Sequence, residues 1–81
     1  MTDSRKLKAV IMEKGYTQEQ IAKLAGMSHP TFNYKVNNKV EFKASEIHTI
    51  SSLLELTKQQ VMDIFFAEDV ENKSTNLLPG A

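Results

Sequence analysis

Residues 17–39, TQEQIAKLAGMSHPTFNYKVNNK, carry the signals for two short helices joined by a tight turn. Thr17 and Gln20 form a capping box, because the threonine hydroxyl can accept from the third helical amide while the glutamine side chain reaches back. Gly26 supplies the positive φ that ends a helix, and Ser28 is the next N-cap candidate. The stretch therefore predicts a second and a third helix separated by a turn of about three to four residues.

Apolar side chains recur at helical spacing within this stretch. The expected buried side of the second helix consists of Ile21, Ala22, Leu24 and Ala25. In the third helix, Phe32 and Val36 stand four residues apart and face the core, and Pro30 lies in the first turn, where no amide hydrogen is needed. Because asparagine tolerates positive φ, Asn37 and Asn38 are expected to end this helix.

Further helices are expected on both sides. A first helix over residues 3–14, ended by Gly15, carries the apolar stripe Leu7, Val10 and Ile11. After a connection anchored by Phe42, a fourth helix is expected over roughly residues 44–56, with Ile47, Ile50 and Leu54 on its apolar face. The pattern predicts an all-α chain of five short helices.

The fifth helix opens at a second capping box, formed by Thr57 and Gln60, and is expected to run to about Ala67. Its core face consists of Val61, Ile64 and Phe65. Residues 69–81 are polar and predict a flexible tail, since they cannot bury enough apolar surface to offset the entropy of ordering. One domain over residues 1–68 is the expected organisation of the 81 residues.

Composition excludes several classes of protein. No cysteine is present, which rules out disulfides and thiolate chemistry. No uninterrupted apolar run exceeds four residues, so neither a membrane span nor a signal-peptide core is expected. These features favour a cytoplasmic protein.

The formal net charge of zero conceals two opposite halves. Residues 1–43 hold eight basic and four acidic side chains, a net charge of +4, and residues 44–81 hold two basic and six acidic ones, a net charge of −4. The two-helix stretch therefore lies in the positive half, as nucleic-acid binding requires.

The two-helix stretch resembles the helix-turn-helix of the phage Cro and repressor family. The matching residues are Gln18 at the start of the second helix, then Ala22, Gly26, Ser28 and Phe32. The later stretch NNKVEFKASEIHTISSLLEL, residues 37–56, is also similar to small phage-type regulators, so the resemblance covers about residues 5–67. It implies a lambda-repressor-like domain that binds a double-stranded DNA operator and regulates transcription in a bacterial host.

Two positions depart from the family pattern. Lys35 stands where many relatives place a large apolar residue, and Val36 takes over the packing role. Lys43 occupies a position where a serine or threonine cap of the fourth helix is expected.

If the third helix, about residues 29–37, enters the major groove, its exposed side reads bases. The base-reading candidates are His29, Pro30, Asn33, Tyr34 and Asn37. The phosphate-contacting candidates are Gln18, Ser28, Lys35, Asn38, Lys39 and Lys43. The role of Gln18 is the one that the resemblance implies for the first residue of the second helix, and the remaining candidates set affinity and register.

A second chain is expected to complete the working unit, because one helix-turn-helix reads too few base pairs for selectivity. Met62 and Phe66, four residues apart, form a candidate protein interface for a homodimer or for contact with a repressor. The alternative function is an antirepressor, which keeps the fold and blocks the DNA-binding face of a partner repressor.

An enzyme is not expected. His29 and His48 are nineteen residues apart, and neither a paired carboxylate nor a glycine-rich phosphate loop accompanies them. We therefore expect no catalytic residue, no metal, no cofactor and no small-molecule substrate.

Overall fold

The computed structural model describes residues 1–67, and five α-helices account for most of them. They are α1 (Ser4–Glu13), α2 (Gln18–Leu24), α3 (His29–Val36), α4 (Ala44–Leu53) and α5 (Lys58–Phe65). No strand occurs within residues 1–67. The all-α, five-helix, helix-turn-helix-like fold expected from the sequence is confirmed. The predicted tail at 69–81 lies outside the described residues.

Both predicted capping boxes are present. The backbone N–H of Gln20 donates to Thr17 Oγ1 at 3.1 Å, and the N–H of Thr17 donates to Gln20 Oε1 at 2.9 Å. Thr57 and Gln60 make the same two hydrogen bonds at 3.1 and 2.9 Å. The start of each helix thereby satisfies amides that have no partner inside the helix. These signals are local in sequence, so they place the starts of α2 and α5 without help from the rest of the fold.

Left-handed residues end four of the helices, three of them at residues that the sequence indicated. Gly15 has φ +85° after α1, Gly26 has φ +78° after α2, and Asn38 has φ +63° after α3. The expectation that these residues end their helices is confirmed. Glycine adopts this region without steric cost, and asparagine tolerates it better than most residues.

The fourth and fifth helices end earlier than expected. Glu55 adopts φ +54° directly after the C-cap residue Leu54, so α4 stops at Leu53 rather than near residue 56. This reversal leaves Leu54 fully buried. The C-cap of α5 is Phe66, with φ −126°, after which the N–H of Ala67 donates to the Met1 carbonyl at 3.1 Å. Both early stops serve contacts that helical periodicity does not reveal.

All five helices contribute to one core. Its buried side chains are Leu7, Val10, Ile11, Ile21, Ala22, Phe32, Val36, Ile50, Leu54, Ile64 and Phe65. Phe42, on the connection before α4, packs edge-on against Phe32 and Phe65 with ring centroids 5.9 and 5.4 Å apart. The predicted anchoring role of Phe42 is thereby confirmed. Edge-to-face geometry is the arrangement that aromatic quadrupoles favour.

Leu24 was expected in the core, but its side chain is 53% exposed. Successive residues of a helix are rotated by about 100°, which places Leu24 to one side of the face that Ile21, Ala22 and Ala25 share. Ala25 is half-buried against the core, as are Ile47 and Val61. Several side chains that the sequence placed in the core are therefore exposed or only half-buried at its edge.

Candidate nucleic-acid interface

One side of α3 is buried and the other is exposed. Phe32 and Val36 have no exposed surface, which fixes the helix against the core. The predicted base-reading residues His29, Pro30, Asn33, Tyr34 and Asn37 are all exposed. The first four of these line one shallow cavity of about 280 Å³. The structure therefore brings these four side chains together on a single surface, which we call the reading face.

Two contacts order the reading face towards its C-terminal end. The Asn37 amide donates from Nδ2 to Asn33 Oδ1 at 3.3 Å. The Lys39 ammonium lies 5.6 Å from the centroid of the Tyr34 ring. That distance is within the range of a cation–π attraction. Lys39 is thus adjacent to the residues predicted to read bases.

The reading face continues into a groove between α1, the start of α2 and α3. This groove has a volume of about 750 Å³, and Gln18, His29 and Asn33 contribute to its lining. Gln18 is half-buried there, at the first position of α2. The predicted phosphate contact and two predicted base contacts therefore border one continuous concavity.

Lys8 also lines this groove, and the sequence did not single it out. It lies on α1, upstream of the two-helix motif, and it is exposed. Met12, four residues later, lines the same groove with 78% of its surface exposed. The sequence indicated only that Lys8 and Met12 lie outside the apolar stripe of α1 and are therefore exposed. Only the packing of α1 against α2 shows which surface they reach.

Ser28 caps α3, and its hydroxyl is engaged within the protein. Ser28 Oγ accepts from the Thr31 N–H at 3.3 Å and donates to Thr31 Oγ1 at 2.9 Å. The predicted N-cap is confirmed. The Ser28 hydroxyl is therefore engaged with Thr31 within the protein in this conformation.

Lys35 was predicted to contact a phosphate, and the structure corrects that assignment. Its side chain is buried, and Nζ lies 2.7 Å from Glu46 Oε1 and 2.8 Å from Oε2. The charge of Lys35 is thus neutralised inside the molecule. The physical reason lies in helix geometry, since position 35 follows Phe32 by three residues and falls on the edge of the buried side of α3.

Glu46 is held by groups from two segments. Besides Lys35, its Oε1 accepts from the backbone N–H of Lys43 at 2.8 Å. Burial raises the pKa of Glu46, but the hydrogen bonds from Lys35 and from the Lys43 N–H, with the charges of both lysines, outweigh burial and lower the pKa overall. Glu46 therefore makes the half of a capping box that runs from the third helical position back to the N-cap N–H, while no side chain at Lys43 caps the first helical amides, and α4 begins at Ala44.

Asn38 was also predicted to contact a phosphate, and its side chain is committed elsewhere. Its Oδ1 accepts from the Thr2 N–H at 2.7 Å, and its Nδ2 donates to the Thr2 carbonyl at 2.9 Å. An amide that binds a backbone amide in this way has little capacity left for a phosphate. Of the predicted cationic phosphate contacts, Lys39 and Lys43 remain exposed.

The predicted interface pair on α5 is divided. Met62 is 42% exposed, whereas Phe66 packs against the core and lines a cavity of about 250 Å³ beside Phe42 and Phe65. Phe66 was expected on the same exposed face as Met62, but the chain leaves helical geometry at Phe66 and its side chain turns towards the core. Met62 therefore remains as the exposed apolar residue of the pair.

The two histidines lie on different helices, α3 and α4, and both are exposed. Within residues 1–67, no group of three or more His, Asp or Glu side chains is placed to hold a metal ion. In the same part of the chain, no helix has the length and apolar character needed to cross a membrane.

The sequence matches a known family model over most of its length. No curated protein is similar to the sequence at a significant level. The family model described as "Protein of unknown function (DUF739)" matches residues 1–68, which include all five helices. Because that match covers most of the 81 residues, the chain belongs to this family of uncharacterised function.

Proposed function

We propose that this protein is a sequence-specific DNA-binding transcriptional regulator whose helix α3 enters the major groove. The observation that carries the proposal is the reading face, where His29, Pro30, Asn33 and Tyr34 are exposed on one surface of a helix fixed by buried Phe32 and Val36. The resemblance of residues 17–39 to the phage Cro and repressor family supports the same function. A rigid helix that presents polar side chains is what direct base readout requires.

The chemistry of the reading face suits base edges. Asn33 can donate to N7 and accept from N6 of adenine, the bidentate pairing that distinguishes adenine in the major groove. Its Oδ1 keeps a second lone pair beside the hydrogen bond from Asn37. Pro30 and the ring of Tyr34 offer apolar contact to a thymine methyl group. We therefore expect an operator with an A·T pair opposite Asn33.

Phosphate contacts flank this surface. Gln18 and Lys8 border the groove on the α1 side, and Lys39 lies beside Tyr34 at the opposite end of α3. Lys43 is exposed at the start of α4. Cationic contacts of this kind give affinity and register without sequence information. Their small number predicts weak nonspecific binding and a shallow dependence on salt.

The working form is proposed to be a homodimer on two half-sites about one helical turn apart. Met62 on α5 is the exposed apolar residue that this dimer would cover. Such an arrangement doubles the number of base pairs read. Sedimentation with and without operator DNA measures the stoichiometry.

The decisive experiment selects binding sites from random DNA duplexes with the purified protein and then measures affinity by fluorescence anisotropy. A selected consensus, bound far more tightly than a scrambled duplex, is the expected result. Lys43→Ala should weaken binding to both duplexes and lower the salt slope by about one unit. Lys58→Ala, which removes an exposed lysine at the start of α5, is the charge-matched control and should have little effect. Absence of any consensus would overturn the proposal.

A second candidate is an antirepressor that binds a repressor and blocks its DNA-binding face. The exposed Met62 supports this function as it supports the homodimer, because an exposed apolar side chain on α5 suits a protein partner. A titration of the purified protein against the promoter next to its gene separates the two functions. If the protein alone does not shift its neighbouring promoter but releases a co-expressed repressor from it, the antirepressor function is supported.

A further inference from the structure

A buried ion pair joins the end of the reading helix to the start of α4. Lys35 Nζ contacts both carboxylate oxygens of Glu46 at 2.7 and 2.8 Å, and the two side chains are only 7% and 15% exposed. Glu46 Oε1 also accepts from the Lys43 N–H at 2.8 Å. One carboxylate therefore ties together the last turn of α3, the N-cap residue and the first turn of α4.

Stability alone is a poor explanation for this arrangement. Removing two charges from water is costly, and a well-packed apolar pair is often as stable as a buried ion pair. An apolar residue at position 35 would also match the neighbouring core residues Phe32 and Val36. What the ion pair supplies, and an apolar contact does not, is a directional constraint on the relative position of two helix ends.

The constrained ends border residues 37–43, the connection between α3 and α4. This connection carries Lys39, which lies over the Tyr34 ring, and Lys43, whose backbone N–H is bound by Glu46. Phe42 anchors the connection to the core through its contacts with Phe32 and Phe65. The two exposed ammonium groups are therefore attached to a backbone that is held at several points.

We propose that Lys35 and Glu46 are positioning residues, which hold the 37–43 connection so that Lys39 and Lys43 reach the DNA backbone beside the reading face. This inference rests on the proposed DNA-binding function and assigns the buried pair a role in phosphate contact rather than base contact. Lys35 acts through the connection and does not itself touch DNA.

Removal of the Glu46 carboxylate tests the proposal, because the positioning role and simple electrostatics predict opposite changes in DNA affinity. Loss of an acidic side chain near DNA by itself raises affinity, and it also frees Lys35 to act as a cation. Under the positioning role, Glu46→Ala instead weakens operator binding and lowers the slope of log K against log salt by about one to two units, as one or two phosphate contacts are lost. Glu41→Ala is the matched control, because Glu41 is an exposed acidic residue of the same connection. It should leave binding unchanged or slightly stronger.

Three further variants complete the design. Lys35→Met should reproduce the lower salt slope, and Lys35→Arg should restore it, since arginine also binds a carboxylate through two hydrogen bonds. Glu46→Gln can still accept from the Lys43 N–H, so its salt slope should lie between those of the wild type and Glu46→Ala. The selected base consensus should be the same in all of these proteins. Unfolding curves confirm that each variant is folded at the temperature of the binding measurement.

Amide hydrogen exchange over residues 37–43 provides a readout that needs no DNA. Exchange should become faster in Glu46→Ala and Lys35→Met and stay at the wild-type rate in Glu41→Ala. Faster exchange with an unchanged salt slope would overturn the role in phosphate contact, and tighter binding by Glu46→Ala would overturn it as well. Failure of the wild type to bind any duplex would instead refute the proposed function, so the two failures are distinguishable.

Discussion

The side-chain amide of Asn38 makes both hydrogen bonds that a strand partner would make to the backbone of Thr2. Oδ1 accepts from the Thr2 N–H at 2.7 Å, and Nδ2 donates to the Thr2 carbonyl at 2.9 Å. The next residue, Asp3, donates its N–H to the carbonyl of Ile64 on α5. Residues 1–3 therefore connect the end of α3 to the end of α5.

Substitution of Asn38 separates its two roles. Asn38→Gly keeps the left-handed backbone but loses both hydrogen bonds to Thr2, so we expect the free energy of unfolding to fall by roughly 1–3 kcal/mol. Asn38→Ala should cost about 1 kcal/mol more, because a Cβ is strained at φ +63°. Urea unfolding followed by circular dichroism measures both. A glycine variant as stable as the wild type would show that the amide contacts contribute nothing.

Ser51 offers a substitution that should stabilise the protein. Its Oγ is buried and has no hydrogen-bond partner among the described residues. Ser51→Ala removes this unsatisfied hydroxyl and adds helix propensity, so the free energy of unfolding should rise by about 1 kcal/mol or more. For a domain of this size, the melting temperature should then increase by about 4–8 °C. Ser52→Ala, at the exposed neighbouring position of α4, is the control for helix propensity and should show a smaller gain.

Stability should depend on pH through Glu46. Because the folded-state pKa of Glu46 lies below its unfolded value, the ionised carboxylate stabilises the fold above an unfolded pKa of about 4.3. This stabilisation is lost as the pH falls through the lower, folded-state pKa. Glu46→Gln has no such ionisation, so its deficit relative to the wild type should be largest near neutrality and shrink in acid. Urea unfolding of both proteins between pH 7 and pH 3 gives the comparison. A deficit independent of pH would contradict the assignment.

The reading face should be separable from the fold. Asn33→Ala and Tyr34→Ala remove exposed side chains, so their unfolding midpoints should stay close to the wild type. Operator affinity should fall by about 1–3 kcal/mol for Asn33→Ala, with relaxed preference at one base pair. Tyr34→Phe keeps the ring and is the matched control for Tyr34→Ala. Full operator affinity in both alanine variants would refute the reading face.

Local signals explain why much of the fold could be predicted. A capping box at Thr17, a glycine at position 26 and an N-cap at Ser28 act within a few residues of the chain, and each is present where it was expected. The end of α4 could not be predicted in this way. It depends on the packing of Leu54 against core residues, such as Leu7 and Phe32, that are distant from it in the sequence.

In the candidate site, too, features set by neighbouring residues could be predicted, and contacts with residues distant in sequence could not. Helical periodicity around Phe32 and Val36 predicted that His29, Pro30, Asn33 and Tyr34 share the exposed side of α3. Composition could not show that Lys35 and Asn38 are engaged by Glu46 and Thr2, because these partners lie 11 and 36 residues away in sequence. A lysine or an asparagine near a helix end has the same local appearance whether it contacts solvent, a phosphate or another segment.

The sequence by itself thus determined the number of helices, the start of α2, α3 and α5, and the side of α3 that faces outward. Each of these follows from hydrogen-bonding and periodic interactions over a few residues. The tertiary structure decided which polar groups remain available to a partner. Burial makes an unpaired charge costly, so Lys35 is paired with Glu46. The fold also brings Thr2 against the Asn38 amide and places Lys8 on the groove next to α3. The zero net charge of the chain is therefore a poor guide to its surface, since the positions of the paired and exposed charges depend on the fold.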